Sequence, residues 1–212
     1  MDNRCECSTW QGLIQQVVYQ VSRGYRYYHV TYYPECKQDK WPAIDTKLMK
    51  KYPPLSKDQR YRRKMAGDAN FFILRWQQCA VILMSSGKHG ELGDRFNDIQ
   101  EKPIAIRVSS IIELIIHQGA TGKGVTVHFS RECYRGLKAI LWEAAHTGRK
   151  KLVIDEFNKL NGISAWSGIS EQKNQLLAYT LSQAKAHKIV TTRADFRFVT
   201  KRTIHKVFSD EA

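Results

Sequence analysis

Five short β-prone runs are gathered in the middle of the chain, at residues 71–76, 79–85, 104–108, 111–117 and 125–129, and the helical patterns lie on either side of them. That order constrains the fold more than any other feature. A doubly wound parallel sheet alternates strand and helix along the sequence, and no regular βαβ alternation is present here. The reading is an α+β fold: a mainly antiparallel sheet with basic helices and a helical C-terminal region.

The flanking segments fill in this outline. Trp10, Leu13, Ile14, Val17, Val18 and Val21 recur at helical spacing, so residues 8–21 read as a helix that Ser8 or Thr9 caps. After Gly24, the tyrosine-rich run 25–33 suits a strand, and Pro34 ends it. Pro34, Pro42, Pro53 and Pro54 favour turns, leaving room for a short helix over 45–52. Ser56 caps a further helix that runs to Ala66 and stops at Gly67. Runs 71–76 and 79–85 read either as a hairpin about Gln77 and Gln78 or as one long bent strand. From Ser130 the pattern turns helical, over residues 130–146, 150–160 and 170–186. The organisation expected is an α+β core over 1–129 and a helical region with a basic tail over 130–212, with no linker to mark the boundary.

Charge is the main functional signal. The 212 residues hold 34 Lys and Arg against 20 Asp and Glu, a formal +14. Residues 37–75 carry eleven of these cations against four acids, and residues 185–206 carry seven against one. Concentrated positive charge is the electrostatic footprint of a polyanionic partner. The candidate phosphate contacts are Lys47, Lys50 and Lys51, then Arg60, Arg62, Arg63 and Lys64 on the predicted basic helix. Arg149, Lys150 and Lys151 sit at a helix start, where cations are mildly unfavourable, and Arg193, Arg197, Lys201 and Arg202 lie in the tail. Residues 60, 63 and 64 fall on one side of their helix at i, i+3, i+4; like charges so crowded cost helix stability, which a phosphate partner would offset.

Aromatic rings on an open sheet face stack on unpaired bases. Tyr25 and Tyr27 are the candidates, on the strand face that also holds His29, Thr31 and Tyr33. Arg23-Gly-Tyr-Arg-Tyr-Tyr-His-Val30 is partly similar to the RNP1 pattern of RNA-recognition motifs. It agrees at Arg23, Gly24, Tyr25 and Tyr27 and departs at Arg26, Tyr28 and Val30. The other reading of the run is a strand packed on a core.

Other chemistry is thinner. Gly119-Ala-Thr-Gly-Lys-Gly124 looks like a phosphate loop, yet His117 stands at its first Gly position and Gly124 at its Ser/Thr position, and a strand pattern follows. A hairpin turn is the better reading. The five cysteines have no zinc-site spacing and no disulfide framework. Two acidic groups, Asp94, Asp98 and Glu101 beside Lys102, and Asp155 with Glu156, are what a magnesium-dependent nuclease would use. No apolar run is long enough for a membrane span, and the N-terminus lacks signal-peptide character, so a cytoplasmic protein without a membrane partner is expected. The leading expectation is a DNA- or RNA-binding protein of replication, recombination, RNA processing or a mobile element, without cofactor. The alternatives are a metal-dependent nuclease, with Mg2+, and a basic subunit of a larger nucleoprotein complex.

Overall fold

A computed structural model describes residues 5–119 and 124–208. It is α+β with antiparallel sheet, as expected, and no helix among the described residues is long and apolar enough to cross a membrane. Two compact units form: residues 1–106, 116–125 and 204–212 make the first, and residues 107–115 and 126–203 the second. The chain passes into the second unit at Arg107 and again at Thr126, and returns to the first at Ile116 and at Ile204.

The first unit opens with α1, Trp10–Ser22, whose start is capped by Thr9 Oγ1 accepting from Gly12 N at 3.0 Å. Its buried stripe of Leu13, Ile14, Val17, Val18 and Val21 packs on a four-stranded sheet. The strands are β1 (Tyr27–Tyr32), β2 (Phe71–Trp76), β3 (Cys79–Met84) and β4 (Asn97–Asp98), in the order β2-β3-β1-β4. β2 and β3 are a hairpin, Trp76 opposite Cys79, so the bent-strand alternative falls. Gln77 takes a positive φ of 47° in its two-residue turn, the conformation such turns demand. In the register, Tyr27 faces Met84 and His29 faces Ile82, while Phe71 and Ile73 face the same two β3 residues. Side chains alternate along a strand, so Phe71, Ile73, Ile82, Met84 and Tyr27 share the face away from α1. There they meet Tyr52, Leu48, Met49, Leu92 and Phe96.

The helix α2, Trp41–Lys51, covers part of that second face, through Leu48 and Met49. It begins earlier than the prolines implied, because Pro42 sits in its first turn, where a missing N–H costs nothing. α3, Lys57–Met65, ends as its sequence indicates. The chain ends are tied down too. Cys7 N donates to Arg75 O at 2.6 Å and Arg75 N to Cys5 O at 2.7 Å, so residues 5–7 cover the outer edge of β2. At the other end, the Gln15 amide pairs with both the N–H and the carbonyl of His205, and Gly12 leaves only 3.1 Å between a would-be Cβ and Lys206 O.

Under α2 lies the one buried ion pair of this unit among the described residues. Arg75, 3% exposed, directs its Nε at both oxygens of Asp45 (3.0 and 2.9 Å). Its other nitrogens meet Glu6 Oε2 at 2.6 Å and the Gln77 carbonyl at 2.9 Å, and Tyr33 donates to Asp45 at 2.8 Å. Removing one member of such a pair leaves the other charged, buried and unpaired. Asp45→Ala should therefore lower stability by about 3–5 kcal/mol in urea unfolding, while replacing Arg75 and Asp45 together by Met and Leu should cost far less.

The second unit is built on α4 (Arg131–His146), α5 (Lys150–Lys159) and α6 (Ser167–Ala186), which pack on one another. Ser130 caps α4 through Cys133 N at 3.1 Å. Three further short strands, β5 (Ile104–Arg107), β6 (Glu113–Gln118) and β7 (Val125–Phe129), form a sheet in that order, their residues divided between the two units. Leu137, Leu141, Ala144 and Ala145 of α4, Val153 and Phe157 of α5, and Ile169, Leu176 and Leu177 of α6 supply the core. Gly168 of α6 packs against the His128 ring, which a Cβ there would approach within 2.4 Å and displace.

Lys173 breaks the pattern of this core. It is 1% exposed, and its Nζ donates to the Ile163 carbonyl at 3.2 Å. Burial without an anion pushes its pKa down from 10.5 to about 8. The unfolded chain then holds this proton more tightly than the native one. Its contribution makes stability lowest below pH 8 and rising from about pH 8 toward 10.5. Lys173→Met should stabilise the protein near pH 7 by about 2–3 kcal/mol, with the gain vanishing above pH 10.5. Thermal unfolding of both proteins across pH 6–11 measures the difference.

Candidate nucleic-acid interface

The sequence-predicted cations fall into two groups, one on each unit. In the first unit the carrier is α3. Its start is secured by a capping box: Gln59 N donates to Ser56 Oγ at 3.2 Å, and Ser56 N to Gln59 Oε1 at 2.9 Å. No residue of the helix is buried, so hydrophobic packing does not hold it. Arg60 and Arg63 contribute instead. Arg60 Nη1 donates to Leu55 O at 3.2 Å, and the Arg63 guanidinium grips Ala69 O at 3.2 and 2.9 Å. These two arginines are half-buried tethers, and the side shared by Arg60, Arg63 and Lys64 is divided between support and surface. Arg62 and Lys64 are exposed, together with Tyr61 and Met65, which are 64% and 71% accessible.

Lys47, Lys50 and Lys51 are exposed on α2, the last two in its final turn, where cations suit the helix dipole. Lys51 is engaged with Asp94 at 2.5 Å. The neighbouring acids do little to neutralise this surface, because Asp45 is buried against Arg75 and only Asp39 and Asp58 of the 37–75 stretch are exposed.

Tyr25 is corrected by the structure. It is buried with its ring edge on Phe72, at 6.2 Å between centroids, so it offers no face to a base. Burial also raises its phenol pKa. Tyr27 is half-buried against the second-face core, with the Arg26 guanidinium 5.8 Å from its ring. It lines an open cleft.

In the second unit the fold gathers cations that are far apart in sequence. Residues 193–198 lie along α5. Asn158 Oδ1 accepts from Arg197 N at 2.9 Å, Asn161 Nδ2 donates to Arg197 O at 2.8 Å, and Phe196 and Phe198 meet the Phe157 ring. This brings Arg193 and Arg197 to the helix that starts with Arg149, Lys150 and Lys151. Lys150 is matched by Asp195 at 2.9 Å, and that contact, with the Thr192 N–H, lowers the Asp195 pKa to about 2. Arg149, Lys151, Arg197 and Lys201 are exposed. Arg193 lies over Phe198, and Arg202 lies 3.7 Å from the Trp166 ring centroid. Asn158 in the last turn of α5 and Asn161 in the turn beyond it are the residues that dock this segment, but nothing in the sequence named their partner.

The acidic groups do not assemble. Asp94 accepts from Lys51 and Tyr52, and Asp98 accepts from Arg26 Nε at 2.7 Å; these hydrogen bonds lower both carboxyl pKa values. Asp155 is exposed, and Glu156 pairs with Lys159 at 2.6 Å. Among the described residues no three His, Cys, Asp or Glu side chains are placed to hold a metal ion. Cys5 and Cys7 are buried, and burial raises both thiols to about 12. In the loop that looks like a phosphate loop, Gly119 N donates to Gly124 O at 3.0 Å, and residues 120–123 lie outside the described residues. Compared with protein-family models, curated proteins and solved structures, the chain matches none.

The division of α3 is testable by stability. Arg63→Ala removes a charged donor from the Ala69 carbonyl and should cost about 1–2 kcal/mol. Arg62→Ala should stay within about 0.5 kcal/mol of the parent. Urea titrations of the two variants distinguish them.

Proposed function

We propose that the protein is a nucleic-acid-binding protein that grips phosphates through two basic surfaces, one on each unit. The observation that carries this reading is α3. A nine-residue helix with no buried residue, five cations and one acid is an expensive element to keep for packing alone. It is held in place by a capping box and two arginine tethers while Arg62 and Lys64 remain outside, which is how a phosphate-contacting helix is presented. Lys47 and Lys50 extend the same unit's surface. On the other unit, Arg149, Lys151, Arg193 and Arg197 supply the second group, with Lys201 and Arg202 beyond. Exposed Tyr61 adds a ring that an unpaired base would stack upon.

The Asp94 and Asp98 carboxylates support binding over metal-dependent cleavage, because Lys51 and Arg26 already occupy them. A magnesium ion would have to displace those cations first.

Changing Lys47, Lys50, Arg62 and Lys64 together to Ala should weaken binding to single-stranded and duplex oligonucleotides and flatten the salt dependence. Each lost phosphate contact should reduce the log–log slope by about 0.7–0.9. Fluorescence anisotropy over a salt series, with and without magnesium, gives the slope. An unchanged slope in the folded variant would remove this surface from the interface, and strand cleavage dependent on magnesium would turn the reading toward a nuclease.

A further inference from the structure

On the second face of the first unit's sheet, beside Tyr27, lies a cleft of about 650 Å3, within the range of small-ligand sites. Tyr27 and Phe96 give it aromatic walls, Met84 an apolar floor, and His89, Glu91 and Asp94 its polar groups. The loop that lines it turns at Gly87, where φ is 143° and a would-be Cβ would come within 2.5 Å of the Ala69 nitrogen, so the backbone packs there as no other residue allows. Asp94 is the fixed element. Lys51 Nζ and Tyr52 OH both donate to its Oδ2, which fixes the carboxylate where it lines the cleft, and these donors hold its pKa below the usual carboxylate value.

A cleft with carboxylates at its polar end repels phosphate. On the nucleic-acid-binding reading, the group that enters is the base, while the backbone stays outside with the exposed lysines and arginines. Aromatic walls take any base by stacking, and the carboxylate then selects by edge. Guanine presents two adjacent donors, N1–H and the N2 amino group, to an anionic acceptor. Thymine presents one N–H between two carbonyl oxygens, which face the carboxylate unfavourably. Adenine and cytosine each offer one amino donor beside an acceptor.

We propose that this cleft binds a single unpaired guanine of a nucleic-acid strand, stacked at Tyr27 and Phe96 and read by Asp94. The inference rests on the nucleic-acid-binding reading and adds a base-specific site to it. Glu91, at the same mouth, adds a second anionic acceptor.

The test uses oligothymidylate of about 12 nucleotides, a length that spans a typical single-strand site, and the same strand with one central guanine or one central inosine, which lacks the N2 amino group. The guanine strand should bind the full chain about tenfold more tightly than oligothymidylate, a preference of the size that one well-placed base contact gives. Inosine should lose a large part of that gain, and Asp94→Asn should abolish the preference. Equal affinity for the guanine and thymidine strands would overturn the proposal while leaving general binding intact. Guanine and inosine strands bound alike would also overturn it, and this comparison needs no variant. Binding to neither strand would sink the general reading along with the cleft.

Discussion

The Arg75–Asp45 pair is the constraint on which the first unit depends. Arg75 lies on an edge-side strand whose outward neighbour is the Cys5–Cys7 segment, and Asp45 lies on α2. Their contact therefore sets the helix against the sheet, and Glu6 and Tyr33 bring the chain start and the end of β1 to the same point. Burying two charges is costly unless every remaining donor and acceptor is met, and here four different segments meet them. The C-terminal end of α2 inherits that placement. Lys51 and Tyr52 come two turns after Asp45, and both reach Asp94, so one buried pair fixes the helix that in turn fixes the carboxylate of the cleft.

The second unit handles a buried charge in the opposite way. Lys173 sits among apolar side chains with a carbonyl as its acceptor, so its burial is a cost rather than a tie. The lone amine lowers stability wherever it is protonated.

Much of the fold was legible because periodicity and punctuation agreed. Thr9, Ser56 and Ser130 are caps where the sequence put caps or helix starts, and β2 and β3 pair across the two glutamines. The start of α2 was hidden because Pro42 reads as a turn residue, although proline is well suited to a helix's first turn. The site was harder to read for a physical reason. Helical spacing groups Arg60, Arg63 and Lys64, but spacing says nothing of which guanidinium finds a carbonyl; that depended on Leu55 and Ala69, outside the helix. The tyrosine strand shows the same limit. Tyr25 and Tyr27 both looked available for stacking, yet Tyr25 lies just ahead of the strand and packs on Phe72, so tertiary contact decided its fate. The return of residues 204–208 to α1 was invisible, since a glutamine amide pairing with a distant backbone leaves no periodic trace.

The distribution of acids explains why so strongly basic a chain is not simply uniformly charged. Asp45, Asp94, Asp98 and Asp195 each accept from a specific cation, Arg75, Lys51, Arg26 and Lys150 in turn. These acids are committed to internal geometry, so they do not dilute the cations that remain outside. Screening sharpens the distinction: the field of exposed lysines and arginines falls off over a Debye length of about 8 Å at physiological salt, while partly buried pairs are screened much less. Raising the salt should therefore loosen a polyanion of the kind proposed from Arg62, Lys64 and Arg197 well before it disturbs the buried Arg75–Asp45 pair that holds α2. The buried pair and the exposed cations thus answer salt at different concentrations, which is the separation that a salt series on the proposed binding depends on.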